Sequence, residues 1–222
     1  MKTITKNTEK SLINEFLDTL KKDVLKKKKK NKRFSLVLTG GKSPINLYRK
    51  LLEYKIDWSN IDLFWGDERF VSQNSKNSNY KLAYDTFIKK IKINKKNLFP
   101  VKTKINTALK SSENYSNLIK NYFKNKSISF DCFLLGMGND GHIASIFPYS
   151  VELKKKFISR PVYRRDFTRI TLSLNVINNS KKTILWLNNK FKSKQFNKLK
   201  MAGKEIPLNR LNKKRTIVYK VD

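Results

Sequence analysis

The chain holds a single histidine, His142, at the end of the run Leu135-Gly136-Met137-Gly138-Asn139-Asp140-Gly141-His142. A near-neutral imidazole two positions from a carboxylate on a glycine-flexible turn suits a general base, because Asp140 can orient the ring and hold its tautomer. Ser145, three residues further on, would share a helix face with His142 and raises a Ser-His nucleophile pair. No Gly-x-Ser-x-Gly elbow accompanies it, however, and a hydroxyl early in a helix commonly satisfies backbone amides. A second run, Gly40-Gly41-Lys42-Ser43-Pro44, has the makings of an anion site. Its glycines allow close backbone approach, Ser43 can cap, Pro44 suits a first helical turn, and free amides then face the ligand. The P-loop pattern is absent, so an ordinary strand-to-helix turn competes with a phosphate cradle. A third run, Trp65-Gly66-Asp67-Glu68-Arg69, sets two carboxylates and a guanidinium together, either as a surface ion pair or with Arg69 as anion binder and Asp67 as polar catalyst.

These runs need strands to carry them. The chain has only seven glycines, and six follow directly on three short apolar segments: Phe34 to Thr39, Ile61 to Trp65 and Asp131 to Leu135. In an open parallel sheet the carboxyl ends of the strands share one edge, so the three loops would meet in one crevice. Leu12, Phe16, Leu20 and Val24 recur every four residues and predict an opening helix over Ser11 to Leu25. The lysine run from Lys26 to Lys30, with Lys32 and Arg33, then reads as its solvated end. Helix is also predicted after Pro44 and over Lys190 to Lys200, and strands over Arg169 to Leu174, Thr183 to Leu187 and Thr216 to Val221. Such alternation predicts an α/β fold, with residues 1–222 forming a single three-layer α/β/α domain around a mostly parallel, Rossmann-like sheet. Ser72 to Asn79 and Tyr149 to Thr168 read as long surface loops.

Composition excludes several classes. Of the 222 residues, 39% are hydrophobic and 12% aromatic, enough to build a core despite a mean hydropathy of −0.60. One cysteine, Cys132, rules out an intrachain disulfide, and with one histidine there is no His/Cys set for a structural zinc. Met1 to Lys10 has no apolar signal segment and no stretch is long enough to span a bilayer, so the expected location is the cytoplasm, with no membrane partner. Fifty Lys and Arg against 17 Asp and Glu give a net charge of +33. That balance would steer a phosphorylated substrate inward and raises the question of nucleic acid. The excess lies in Lys, alongside abundant Asn and Ile, which AT-rich codons alone would produce, and no RNP motif, zinc finger or helix-turn-helix accompanies it.

Taken together, Leu38 to Pro44, Phe64 to Arg69 followed by Ser78-Asn79, Leu135 to Pro148 and Arg169-Ile-Thr-Leu172 resemble, in order and spacing, the 6-phosphogluconolactonases. The resemblance implies hydrolysis of 6-phospho-D-glucono-1,5-lactone, a step of the oxidative pentose phosphate pathway, without metal or organic cofactor; a monomer is the separate expectation. It implies that His142 takes a proton from water, with Asp140 or Asp67 orienting it. The phosphate would lie against Gly40, Gly41, Lys42 and Ser43, with Arg69, Arg169 and Lys192 as cationic partners. Glucosamine-6-phosphate deaminases share the fold, but carry Phe-Asn-Glu-Pro where this chain has Ser145-Ile-Phe-Pro148, and Asp-Glu-Tyr where it has Asp67-Glu68-Arg69. A nucleic-acid-binding protein that has lost the reaction is the alternative from another class. Four departures from the family pattern stand out. Lys42 replaces a small hydroxyl residue, Asn189 replaces the glycine of a Gly-x-x-Lys segment through its tolerance of left-handed backbone, and the Tyr149 to Thr168 stretch is short and basic, with Arg164 and Arg165. Finally, Val221-Asp222 stands where relatives continue into a helix, predicting a less covered sheet face.

Overall fold

The computed structural model describes residues 1–222. Ten strands form: β1 (Lys2–Lys6), β2 (Phe34–Leu38), β3 (Ile61–Trp65), β4 (Asp67–Arg69), β5 (Leu98–Phe99), β6 (Cys132–Leu135), β7 (Ser159–Val162), β8 (Arg169–Leu172), β9 (Thr183–Leu187) and β10 (Thr216–Val221). Seven of them make one sheet in the order β1-β10-β9-β6-β2-β3-β5, and every pairing within it is parallel. The central strands β2, β3, β6 and β9 are buried along their whole length. That is why they read as nearly continuous apolar runs: a parallel sheet covered on both faces has no solvent side to alternate towards.

Successive side chains of these strands enter two separate cores. Leu36, Leu63, Leu134 and Trp186 pack with α1 (Glu9–Lys28), α2 (Ile45–Lys50) and α3 (Asn79–Thr86) on one face. Val37, Phe64, Phe133 and Leu185 pack with α4 (Ala108–Tyr122), α5 (Leu174–Asn179) and α6 (Lys190–Lys200) on the other. The result is the three-layer α/β/α arrangement that the alternating pattern predicts. Thr8 caps α1 by accepting from the Ser11 amide, and the apolar stripe Leu12, Phe16, Leu20, Val24 is buried as its spacing requires. The lysine run is the end of this helix; Lys27 pairs with Asp131 at 2.7 Å and Lys28 with Asp57 at 2.6 Å. No helix is long and apolar enough to cross a membrane.

Two predicted segments come out differently. The strand expected at Arg169 to Leu174 ends at Leu172, because Ser173 turns to cap α5 by accepting from the Val176 amide. It belongs to a second sheet of three antiparallel strands, β4-β8-β7. Gly66 is the junction of the two sheets. Its amide donates to the Leu38 carbonyl at 2.9 Å, and its own carbonyl accepts from the Leu172 amide at 2.9 Å. A Cβ there would lie 2.9 Å from the Phe133 ring, so only glycine lets the chain pass so close. The stretch Tyr149 to Thr168, expected as loop, contains β7. Pro161 hides it from a strand reading, yet β7 lies on the edge of the small sheet, where a residue lacking an amide proton is tolerated.

Candidate active site

The loops that leave β2, β3 and β6 meet over a cavity of about 390 Å³ at the carboxyl edge of the large sheet. Nine of the ten predicted site residues line it: Gly40, Gly41, Lys42, Ser43, Asp67, Arg69, His142, Arg169 and Lys192. The tenth, Asp140, stands beside His142, with its Oδ1 2.7 Å from His142 Nδ1 and accepting at 3.2 Å from the His142 amide. Only a donor can face a carboxylate oxygen at that distance, so Nδ1 carries a proton, which in the neutral ring leaves the lone pair on Nε2. Burial raises the Asp140 pKa, but the hydrogen bond and charge of His142 outweigh it and hold the carboxyl at about 2. The acceptor therefore stays ionised. Phe147 braces the ring, centroid to centroid at 4.6 Å.

Glycine chemistry makes this turn possible. A Cβ on Gly138 would lie 2.2 Å from both His142 Cε1 and Nδ1, and 2.6 Å from Asp140 Oδ1. Gly141 adopts φ +88, a conformation that favours glycine. The Gly138 amide closes the turn by donating to the His142 carbonyl at 2.8 Å.

No helix follows His142. Ala144 takes φ +49, and Ile143 and Ile146 exchange backbone hydrogen bonds across it, so the helical relation expected between His142 and Ser145 does not form. Ser145 is instead fully buried and donates its hydroxyl to Asp67 Oδ2 at 2.7 Å. The same carboxylate faces Asn79 Nδ2 at 3.4 Å, and that amide also donates to the Asp67 carbonyl at 2.9 Å. Of the two carboxylates considered as partners of His142, Asp140 is the one bonded to it, while Asp67 is held by Ser145 and Asn79.

Arg69 and Arg169, which also line the cavity, are register partners in the antiparallel pair β4 and β8. Two like charges directly opposite each other on a sheet repel, and an anion placed between them relieves that repulsion. Arg69 donates to the Asn77 carbonyl at 2.8 Å, and Arg169 is engaged by Asp166. Lys192 reaches the cavity from the first turn of α6, where its Nζ donates to the Met137 carbonyl at 2.8 Å and to Asn139 Oδ1 at 2.6 Å. Burial pulls its ammonium below the ordinary lysine pKa, against the charge of Asp140. Asn189 needs no left-handed backbone. It is extended, φ −154, and caps α6 by accepting the Lys192 amide at 2.9 Å. Ser43 makes no capping bond: Pro44 occupies the cap position of α2. The glycine loop holds its course through Gly41, φ +80, and through Gly40, where a Cβ would lie 2.0 Å from the Asn79 amide oxygen.

Two organisers escaped the sequence reading. Glu68 is 1% exposed and accepts from the amides of Arg69, Asn79 and Tyr80 and from the Ser78 hydroxyl, at 2.7 to 3.0 Å. It ties β4 to the start of α3, and burial pushes its carboxyl up to about 7. Asn79 spans the first two loops. The only available signal was the ten-residue spacing between Glu68 and the Ser78-Asn79 pair. Nowhere do three His, Cys, Asp or Glu side chains converge as a metal ion would need.

A family model described as glucosamine-6-phosphate isomerases/6-phosphogluconolactonase matches residues 7–219. A 6-phosphogluconolactonase of Nostoc is 34% identical over 154 residues, covering 68% of this chain and 64% of that protein. The chloroplastic 6-phosphogluconolactonase 3 of Arabidopsis thaliana is 37% identical over 164 residues, covering 66% of this chain and 50% of its own length. The alignments thus span about half to two thirds of these curated relatives. Among solved structures, a 6-phosphogluconolactonase from Thermotoga maritima superposes with a TM-score of 0.85 at 26% identity, over 99% of both chains. A monomeric glucosamine-6-phosphate deaminase superposes equally well, TM-score 0.85, but at 20% identity it shares the fold alone.

Proposed function

The chain belongs to the glucosamine-6-phosphate isomerase/6-phosphogluconolactonase family, and we propose that within it this protein hydrolyses 6-phospho-D-glucono-1,5-lactone to 6-phosphogluconate. The observation that carries the proposal is the 2.7 Å contact between Asp140 and His142, at a cavity that Arg69 and Arg169 also line. The two guanidiniums take the phosphate, assisted by the backbone of Gly40 to Ser43, by Lys42 and by Lys192. The lactone carbonyl then lies towards His142. Nε2 accepts a proton as water attacks the carbonyl carbon, and Asp140 stabilises the imidazolium that forms. The tetrahedral intermediate collapses as the ring oxygen leaves with that proton, which restores neutral His142. The acid product ionises at neutral pH.

The deaminase reading finds less support. Where the deaminase pattern places a glutamate after His142, this chain has Phe147 against the ring and no carboxylate. In this proposal the protein works as a single-domain cytoplasmic monomer, without metal or organic cofactor and without a nucleic-acid partner.

The test is turnover of freshly generated 6-phosphogluconolactone, corrected for spontaneous hydrolysis, in wild type and His142→Ala. Loss of a positioned general base costs roughly 10²–10⁴-fold. Turnover surviving in the variant moves the base to another group, and a folded wild type no faster than background overturns the function.

A further inference from the structure

Asp166 is an acid in the wrong place for a phosphate site. It stands three residues before Arg169, on the short basic segment that leads into β8, and spans the guanidinium fork: Nη1 donates to Oδ1 at 2.8 Å and Nη2 to Oδ2 at 2.6 Å. Nη1 also donates to the Phe167 carbonyl at 3.0 Å, which uses both of its protons. Of the five donors of Arg169, only Nε and one proton of Nη2 remain for a ligand. The Arg169 side chain is 11% exposed, whereas that of Asp166 is 59% exposed. The cation is held by its surroundings, with its guanidinium 5.7 Å from the ring centroids of both Phe147 and Phe167, and the more exposed carboxylate meets it from the solvent side.

We propose that Asp166 is an internal counter-anion that lowers the affinity of Arg169 for phosphorylated ligands, so that the residue sets KM and product release. The inference rests on the assignment of Arg69 and Arg169 to the ligand phosphate. With Asp67 as its one lining acid and Asp140 just behind His142, the cavity holds four cationic side chains, Lys42, Arg69, Arg169 and Lys192, in a chain of net charge +33. Such a site holds any phosphate strongly, including a phosphorylated product and inorganic phosphate. One more carboxylate at the fork reduces that hold without touching the Asp140–His142 pair. Because Asp166 is largely solvent-exposed, its removal costs the fold little.

The effect is electrostatic and has a definite size. A phosphate dianion on the free edge of Arg169 lies about 6 Å from the Asp166 carboxylate; a Coulomb term in water at that distance, reduced by physiological salt, gives roughly three- to tenfold in affinity. The test is the Kd of inorganic phosphate at pH 8, by calorimetry, for wild type, Asp166→Asn and Arg169→Ala. Asparagine keeps an acceptor for the fork and removes the charge. Tighter phosphate binding in Asp166→Asn by that factor, shrinking as salt is raised, together with a lower KM for the lactone at little altered kcat, is the expected result. Equal or weaker phosphate binding in Asp166→Asn, with binding lost in Arg169→Ala, overturns the role of Asp166 and leaves the phosphate site intact. A wild type that binds no phosphate, or binding that Arg169→Ala does not change, overturns the phosphate site and this inference with it.

Discussion

Replacing Gly138 by alanine tests the Asp140–His142 pair without removing either residue. Gly138 does not occupy the positive-φ region, so its backbone accepts an L-residue, and the whole effect of the new methyl falls on its neighbours. The added carbon would stand 2.2 Å from two atoms of the imidazole, against 3.4 Å or more in an ordinary contact. The ring must therefore retreat by about 1 Å, and it cannot do so while keeping a 2.7 Å bond to Asp140. A misplacement of that size costs on the order of 10²-fold in rate, or ~2.7 kcal/mol of transition-state stabilisation. Stability should change little, because the His142 side chain is 35% exposed and lies at the edge of an open cavity. The assay is initial-rate lactone hydrolysis in a pH-stat, with thermal melts as the folding control. We expect kcat to fall about 100-fold with KM within about twofold, since Arg69 and Arg169 are untouched. The double variant Gly138→Ala/His142→Ala should be no slower than His142→Ala alone, because both changes disable one base. A folded Gly138→Ala enzyme within threefold of wild-type kcat would refute the assignment of His142 as a base dependent on Asp140.

The buried Glu68 carboxyl should make stability depend on pH in an unusual direction. Its pKa is about 7 in the folded chain against an ordinary 4.5, so its stabilisation is complete below pH 4.5 and is lost as pH rises through 7, by ~3 kcal/mol over that window. Urea unfolding of wild type and Glu68→Gln between pH 4.5 and 8 should show the difference between them moving by that amount in favour of glutamine; a flat difference would count against the burial argument. Asn189 separates a capping role from a conformational one. Asn189→Ala should lower stability by ~1 kcal/mol and Tm by about 2–4 °C, while Asn189→Gly costs a few tenths, and equal losses in the two would contradict the cap.

The centre of the sheet was readable because burial on both faces leaves β2, β3, β6 and β9 almost wholly apolar, with only Ser35, Asp62 and Thr183 as polar residues inside them. The periphery was not. β1 offers one aliphatic residue, Ile4, among lysines and threonines, and β7 carries a proline, so neither has a local signal. β1 exists through β10 at the far end of the chain, and β7 through its antiparallel pairing with β8, the next strand along. The same division holds in the site. Six glycines behind three strands marked the crevice, and nine of ten named residues line it, because the rule that parallel strands present their carboxyl ends together needs no side-chain detail. Ser145 defeated the pattern. Its spacing from His142 suggests a helix only until Ala144 adopts a left-handed backbone, which no residue type at that position announces. The choice between Asp67 and Asp140 likewise depended on where a buried serine donates its proton. Asp166 gave no signal at all, being one acid in a run of surface charges until the turn into β8 brings it to Arg169.

The pairing of β1 has a consequence for how the molecule assembles. Its one neighbour in the sheet is β10, with Lys2 opposite Ile217, 215 positions away. Closing so long a loop is entropically late and kinetically slow. During vectorial synthesis β1 must wait, unpaired and flanked by lysines, until β10 has emerged. The cavity is built by the loops after β2, β3 and β6 together with β8 and α6, all of which lie between them. The cavity can therefore be in place before the sheet is complete, and docking of β1 onto β10 is the closing stitch of a molecule whose central crevice has already formed.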